Sequence, residues 1–128
     1  MTPEEAFKIR RLFPRAHRGS QPMLMVDLGG RAFRLDLQWQ RDAYITHIRS
    51  ADGVRYLGTL TKRGEIRLRL THATARATLL DALTRLAAGT LRPAMQCDGS
   101  RRYTDDPSYH DKDFVPTVPV WAPFSSAT

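Results

Sequence analysis

Residues 23–40, MLMVDLGGRAFRLDLQWQ, decide the fold because they contain two strand-like runs joined by a permissive two-residue turn, Gly29-Gly30. Pairing outward from that turn sets three pairs opposite each other: Leu28 with Arg31, Val26 with Phe33, and Leu24 with Leu35. The second run alternates, with its apolar side chains on one face: Phe33, Leu35, Leu37 and Trp39. The turn joins the apolar rows of both runs on that face, so the stretch predicts an antiparallel hairpin with one apolar side.

Two more turns extend the pattern toward the C-terminus. Asp52-Gly53 separates residues 44–49 from 54–60, and Arg63-Gly64 precedes a third alternating run at 65–71. If both turns have two residues, the expected cross-strand rows are Ile48, Leu57 and Leu70; Thr46, Thr59 and Leu68; and Ile45, Leu60 and Arg67. Together with the first hairpin, these runs predict an antiparallel sheet of about five strands.

A helix is predicted before the sheet. Thr2 and Glu5 have the spacing of a capping box, and Pro3 suits the first helical position. Pro14 is expected to end this helix at about Phe13.

A second helix is predicted over residues 72–88, with Gly89 as its C-terminal cap. Its apolar stripe has helical spacing: Leu79, Leu80, Leu83, Leu86 and Ala87. Asp81 and Arg85 form an i, i+4 pair on the other side. We expect this helix to cover one face of the sheet.

The C-terminal part differs in character, since five of the eight prolines lie between Pro93 and Pro123. Proline cannot continue a helix or a central strand, so residues 93–128 are predicted to form an extended arm. The arm belongs to the same α+β domain as the core at 1–92. Its large apolar side chains are candidates for protein contact: Phe114, Val118, Trp121 and Phe124.

The charge is concentrated in the first half of the chain. The 128 residues carry a net charge of +7, and residues 1–72 hold 14 Lys and Arg against 7 Asp and Glu. Residues 73–128 hold 6 of each sign. This asymmetry favours an anionic partner, although a GC-rich genome also produces an excess of arginine over lysine.

The single cysteine, Cys97, excludes an intrachain disulfide and a zinc site built on cysteines. No signal-like or membrane-spanning apolar run occurs in the sequence, so we expect a cytoplasmic location and no membrane partner.

The polar face of the predicted sheet is the leading binding site. The registers above place four arginines and one tyrosine there: Arg34, Arg49, Tyr56, Arg67 and Arg69. Guanidinium groups bind phosphates and a flat ring stacks on a base, which is typical of single-stranded nucleic-acid platforms. The alternative interpretation is an ordinary solvated sheet face.

A second basic cluster includes Lys8, Arg11 and Arg15. It matches no helix-turn-helix, zinc-finger or RNP signature, and it is either a phosphate contact or a solvated helix end.

Catalytic and metal motifs are missing from the sequence. The four histidines, His17, His47, His72 and His110, have no metal-ligand spacing, and the acidic tract around Asp105–Asp113 lacks the pattern of a calcium loop. We therefore expect no enzyme activity, cofactor, metal or small-molecule substrate.

These observations predict a non-enzymatic binding module for weakly sequence-specific nucleic acid, with single strands favoured. The alternative is a small protein-binding adaptor or inhibitor, such as one encoded by a mobile element, that docks through its basic face and C-terminal arm. A protein partner or homodimer through the arm is compatible with both hypotheses.

Overall fold

The structure is a computed structural model that describes residues 1–13, 22–29, 31–40, 43–95 and 101–105. These ranges contain two helices and seven strands: α1 (Pro3–Arg11), β1 (Met23–Leu28), β2 (Arg31–Gln40), β3 (Ala43–Ser50), β4 (Tyr56–Leu60), β5 (Ile66–Leu68), α2 (Ala73–Ala88), β6 (Arg92–Met95) and β7 (Arg101–Thr104). The predicted α+β class, N-terminal helix and helix-covered sheet are confirmed.

The strands form one mixed sheet in the order β5-β4-β3-β2-β1-β7-β6. β1 to β5 are the antiparallel strands that the sequence predicts, whereas β7 runs parallel to β1 and pairs antiparallel with β6. Residues 93–95 and 101–104, which the sequence places in the arm, therefore belong to the sheet. Pro93 is accommodated because β6 is an edge strand. Asp105, which follows β7, is also described, and its carboxylate accepts a hydrogen bond from the Gly29 amide. The remaining residues of the predicted arm lie outside the described residues.

The first hairpin has the predicted register. Leu28 pairs with Arg31, Val26 with Phe33 and Leu24 with Leu35. A two-residue connection fixes the pairing at the turn, and every later pair follows from it.

The predicted register of the second hairpin is wrong by one residue. Ile48 pairs with Gly58 rather than Leu57, and Thr46 pairs with Leu60 rather than Thr59. The cause is an irregularity after Ile48: Arg49 pairs with Tyr56, so Leu57 is an extra residue on β4, as in a β-bulge.

The pairing of β4 with β5 shifts with it. Thr59 lies opposite Arg67 rather than Leu68, and Leu60 lies opposite Ile66 rather than Arg67.

The predicted capping box of α1 and the predicted glycine cap of α2 are both present, whereas the N-terminal cap of α2 was not predicted. Thr2 and Glu5 form the capping box of α1, which ends at Arg11, slightly earlier than expected, with Leu12 as its C-cap. His72 caps the start of α2 by accepting a hydrogen bond from the Ala75 amide, and Gly89 ends it at a φ of 74°.

The stripe of α2 is buried except at one predicted position. Leu80 is 38% exposed, while Ala75 and Ala82 are buried in addition to the predicted residues. Leu80 lies at the edge of the buried stripe. The i, i+4 pair of Asp81 and Arg85 is present, with a distance of 3.1 Å between Arg85 Nε and Asp81 Oδ2.

The core lies between the helices and one face of the sheet. It joins Ala6 and Ile9 of α1 and the buried residues of α2 to the inward side chains of the strands, which include Leu24, Val26, Phe33, Leu35 and Ile48. The opposite side of the sheet, which we call the outer face, carries the alternate residues of the same strands. Within the described part of the chain, neither helix has the length and apolarity needed to cross a bilayer.

Candidate functional site

The outer face carries a row of side chains that crosses five neighbouring strands. Arg34 lies between Met25 of β1 and Arg49 of β3, and Arg49 in turn pairs with Tyr56 of β4. The row continues on the other side to Arg102 of β7, which pairs with Met25 and is only 1% exposed. Strand pairing therefore gathers cationic residues that are far apart in the sequence.

A second row lies next to the first on the outer face. Asp36 pairs with His47, His47 pairs with Thr59, and Thr59 pairs with Arg67. We call the combined outer-face cluster the arginine face and define it by Arg34, Asp36, His47, Arg49, Tyr56, Arg67 and Arg69.

The carboxylate of Asp36 joins two of these arginines. Its Oδ1 lies 2.6 Å from Arg34 Nε, and its Oδ2 lies 3.2 Å from Arg49 Nε. The Asp36 side chain is 3% exposed, whereas the two arginine side chains are 27% and 31% exposed. A buried carboxylate thus fixes two partly exposed guanidinium groups side by side, and each group has further N–H donors on its Nη atoms.

Tyr56 positions the third arginine. The guanidinium carbons of Arg69 and Arg49 lie 5.1 Å and 5.7 Å from the centre of the Tyr56 ring, within the range of cation–π attraction. The Tyr56 hydroxyl is hydrogen-bonded to the hydroxyl of Thr59, which fixes the ring. A base that stacks on Tyr56 would share the ring with these arginines or displace them.

The turn between β3 and β4 approaches Arg34 closely. Gly53 has a φ of +78°, and a Cβ atom added there would lie 2.6 Å from Arg34 Nη1. Glycine therefore serves two purposes at this position: it adopts the left-handed backbone and leaves room for the guanidinium group.

His47 lies in the middle of the arginine face. Burial lowers its pKa below the usual value near 6.5 and the charge of Arg49 lowers it further, while Asp36 acts in the opposite direction. Neither ring nitrogen has a hydrogen-bond partner within the described ranges, although both are shielded from solvent. His47 is therefore held in its neutral form at neutral pH.

The structure unites five of the eight predicted nucleic-acid residues, Arg34, Arg49, Tyr56, Arg67 and Arg69, on the outer face. Arg67 and Arg69 are exposed; 80% of the Arg67 side chain is accessible, and its Nη2 lies 3.5 Å from Glu65 Oε2. The five residues share the outer face although the predicted register of the second hairpin is wrong. The reason is that Leu57 is an extra residue on β4, which places Tyr56 opposite Arg49 on that face.

The other candidates do not join this cluster. Lys8 and Arg11 are exposed on α1, which packs on the opposite side of the sheet. Arg15 and the four protein-contact residues, Phe114, Val118, Trp121 and Phe124, lie outside the described residues.

Sequence reasoning missed the roles of Asp36 and Gly53 and the position of Arg102 on the outer face. The first-hairpin register already places Asp36 beside Arg34 on the polar face, so that pairing was accessible from the sequence. The parallel strand that brings in Arg102 has no comparable signal.

No cluster of three or more His, Cys, Asp and Glu side chains able to hold a metal ion occurs in the ranges that the structure describes. No protein family profile, curated protein or solved structure matches this chain.

Proposed function

We propose that this protein is a non-enzymatic module that binds nucleic acid, with little sequence specificity and a preference for single strands, through the arginine face. The observation that supports the proposal is the arrangement of Arg34, Arg49 and Arg69, whose guanidinium groups are held together by Asp36 and Tyr56.

This arrangement suits a phosphate backbone. A guanidinium group forms paired, charge-assisted hydrogen bonds with phosphate oxygens. Arg34 and Arg49, whose side chains Asp36 already fixes, lose less side-chain entropy on binding than free surface arginines do. Phosphates are the same in every sequence, so contacts of this kind position the strand without reading its bases.

The preference for single strands rests on Tyr56. A base in a single strand exposes its flat face, and stacking on an aromatic ring contributes about 1–3 kcal/mol per base. In this proposal Arg34, Arg49, Arg67 and Arg69 bind phosphates. Tyr56 holds Arg69 over its ring in the free protein. When Arg69 binds a phosphate, a base takes the place of Arg69 on the ring.

The test is fluorescence polarisation with labelled single-stranded DNA, double-stranded DNA and single-stranded RNA across a salt series. The double variant Arg67→Glu/Arg69→Glu should lose binding while its free energy of unfolding stays within about 1–2 kcal/mol of the wild type, because both side chains are exposed and lose only surface contacts with Glu65 and Tyr56. Wild-type affinity in this variant would refute the assignment to the arginine face.

Variants that each neutralise one arginine measure how many phosphate contacts the protein makes. Arg69→Gln should reduce the slope of log K against log salt by roughly 0.7–0.9, the value for one phosphate contact. Arg85→Gln is the matched control, since Arg85 is an exposed arginine of α2 in the helical layer. Equal slopes for the two variants would contradict the proposal, as would undetectable binding of all three nucleic acids at low salt.

A cytoplasmic location remains part of this proposal, because a single cysteine fits a reducing compartment. The adaptor hypothesis depends on the C-terminal arm, and no observation in the described residues favours it.

A further inference from the structure

β5 directs one row of its backbone groups away from the rest of the sheet. In the described part of the sheet it is the last strand, and it pairs with β4. The backbone of Glu65 and Arg69 bonds toward β4: the Glu65 carbonyl accepts from the Thr61 amide, and the Arg69 amide donates to β4. Because this direction alternates along a strand, the N–H and C=O groups of Ile66 and Leu68 point outward. Such an edge can pair with another strand.

The side chains along this edge are accessible. Glu65 and Arg67 have 56% and 80% of their side chains exposed, and Arg69 is exposed as well. On the other side of the strand, Ile66 and Leu68 are partly buried at the rim of the core. A strand placed along the edge would therefore meet a row of charges on the outer face and a row of apolar side chains on the core side.

We propose that two copies of this protein pair through their β5 edges, antiparallel to each other, about a two-fold axis at Arg67. A second copy suits this edge because the charges of β5 are complementary to their own reverse order, as a two-fold interface requires. With Arg67 opposite the partner's Arg67, Glu65 lies opposite the partner's Arg69 and Arg69 lies opposite the partner's Glu65. Two pairs of opposite charge then cross the interface.

This register uses every outward backbone group of β5. Ile66 lies opposite the partner's Leu68, and each such pair exchanges two hydrogen bonds between N–H and C=O groups. The same pairs bring apolar side chains together on the core side. The two neighbouring registers are less favourable. One pairs Leu68 with the partner's Gly64, whose φ of +89° is not that of a strand, and the other places Arg67 opposite the partner's Arg69.

An unfavourable contact lies on the axis, where Arg67 faces the partner's Arg67. Both side chains are exposed, and Glu65 of the same chain lies 3.5 Å from each, so water and this carboxylate reduce the repulsion. The interface is also short. We therefore expect a weak dimer, with a dissociation constant on the order of 0.1 mM.

Pairing of the edges joins the two sheets into one. Because Ile66 and the partner's Leu68 both lie on the core side, the helices of both copies lie on one side of the joined sheet and both arginine faces lie on the other. Arg67 and Arg69 of the second copy thereby extend the arginine face of the first. The dimer does not depend on the proposed function, since it requires no nucleic acid.

The test is sedimentation velocity of the full-length protein without nucleic acid, over concentrations from about 10 μM to about 1 mM, which bracket the expected dissociation constant. The wild type should change from monomer to dimer across this range. Glu65→Arg and Arg69→Glu should each weaken dimerisation by roughly tenfold or more, because each places like charges opposite each other at both ion pairs.

An equimolar mixture of the two variants tests the register. Glu65→Arg in one copy and Arg69→Glu in the other restore opposite charges at both pairs, so the mixture should dimerise like the wild type. When only the Glu65→Arg chain is ¹⁵N-labelled, the amides of Ile66 and Leu68 should shift on mixing. Asp81→Arg and Arg85→Glu make the same charge changes on α2 and are the matched controls, and each alone should dimerise like the wild type.

Loss of dimerisation in each β5 variant, recovery in the mixture and normal dimerisation of the controls would support the proposal. A wild type that stays monomeric up to about 1 mM, unchanged dimerisation in either β5 variant, or no recovery in the mixture would overturn it. Glu65→Arg retains every arginine of the arginine face, so its binding of nucleic acid tests the proposed function separately.

Discussion

At the scale of single residues, the buried carboxylate of Asp36 contacts two guanidinium groups whose repulsion it offsets. The cost of removing one partner from such a cluster depends on burial, because water stabilises an exposed charge that has lost its partner and a buried one stays unsolvated. The chain offers a direct comparison, since Asp81 forms a pair with Arg85 on the surface of α2.

Asp36→Asn is expected to reduce the free energy of unfolding by about 2–3 kcal/mol, somewhat less than for a fully buried pair because Arg34 and Arg49 are partly exposed. Asp81→Asn makes the same chemical change in an exposed pair and should cost less than about 1 kcal/mol. Urea unfolding of both variants measures the difference. Similar losses would show that Asp36 contributes no more than a surface charge.

His47 gives the arginine face a pH dependence. Its pKa is lowered in the folded state, so the unfolded chain binds a proton more readily than the folded one between the two pKa values. The contribution of His47 to the free energy of unfolding is therefore fully present above pH 6.5. It is lost as the pH falls from 6.5 through the folded-state pKa of His47. Burial of the imidazole lowers this pKa most, the charge of Arg49 lowers it further, and the charge of Asp36 raises it.

The measurement is urea unfolding of the wild type and His47→Gln at several values between pH 7.5 and pH 5. We expect the stability of the wild type relative to the variant to decrease toward acid pH. A difference that does not change with pH would mean that His47 titrates as in the unfolded chain.

At the scale of elements, the turn between β3 and β4 supports the arginine face through the close approach of Gly53 to Arg34. Gly53→Ala introduces a side chain at a positive φ and, in addition, a contact with the guanidinium group. Gly29→Ala is the control, because Gly29 also has a positive φ but its added Cβ would meet no atom within 4 Å.

Both alanine variants should lose about 1–2 kcal/mol of stability from the left-handed backbone. Only Gly53→Ala should shift the NMR resonance of the Arg34 Nε–H group, because only that substitution displaces the arginine from Asp36. An unchanged Arg34 resonance in Gly53→Ala would show that the turn does not position Arg34.

The elements also show where sequence reasoning succeeds. The first hairpin was predictable pair by pair, since a Gly-Gly turn and two alternating strands leave one register that joins the apolar rows. The second hairpin was not, because the bulge at Leu57 adds a residue without an alternating pattern to mark it. α1 was predictable from its N-terminal capping box, and α2 from its apolar stripe and its glycine cap, because all of these are local signals.

The candidate sites divide in the same way. The arginines of the arginine face follow from strand alternation, so the sequence identifies them even with a register error. The position of Arg102 does not follow, because β1 and β7, whose pairing brings it to the outer face, are distant in the chain and no local turn connects them.

At the scale of the whole molecule, the sheet separates the arginine face from the layer of the two helices. Arg34 and Arg49 lie on the outer side and contact Asp36, while Lys8 and Arg11 are exposed on α1 in the other layer. The positive charges behind the net charge of +7 are therefore divided between the two sides of the sheet.

The position of β7 has a consequence for synthesis on the ribosome. β1 is made early, but its parallel partner emerges only after about 70 further residues, or roughly 4–15 s of translation. During that interval the nascent chain has an open strand edge in what becomes the interior of the sheet, with unpaired backbone groups able to join another polypeptide. Newly made chains are thus exposed to mispairing until β7 leaves the exit tunnel, and a chaperone that acted in this interval would protect them.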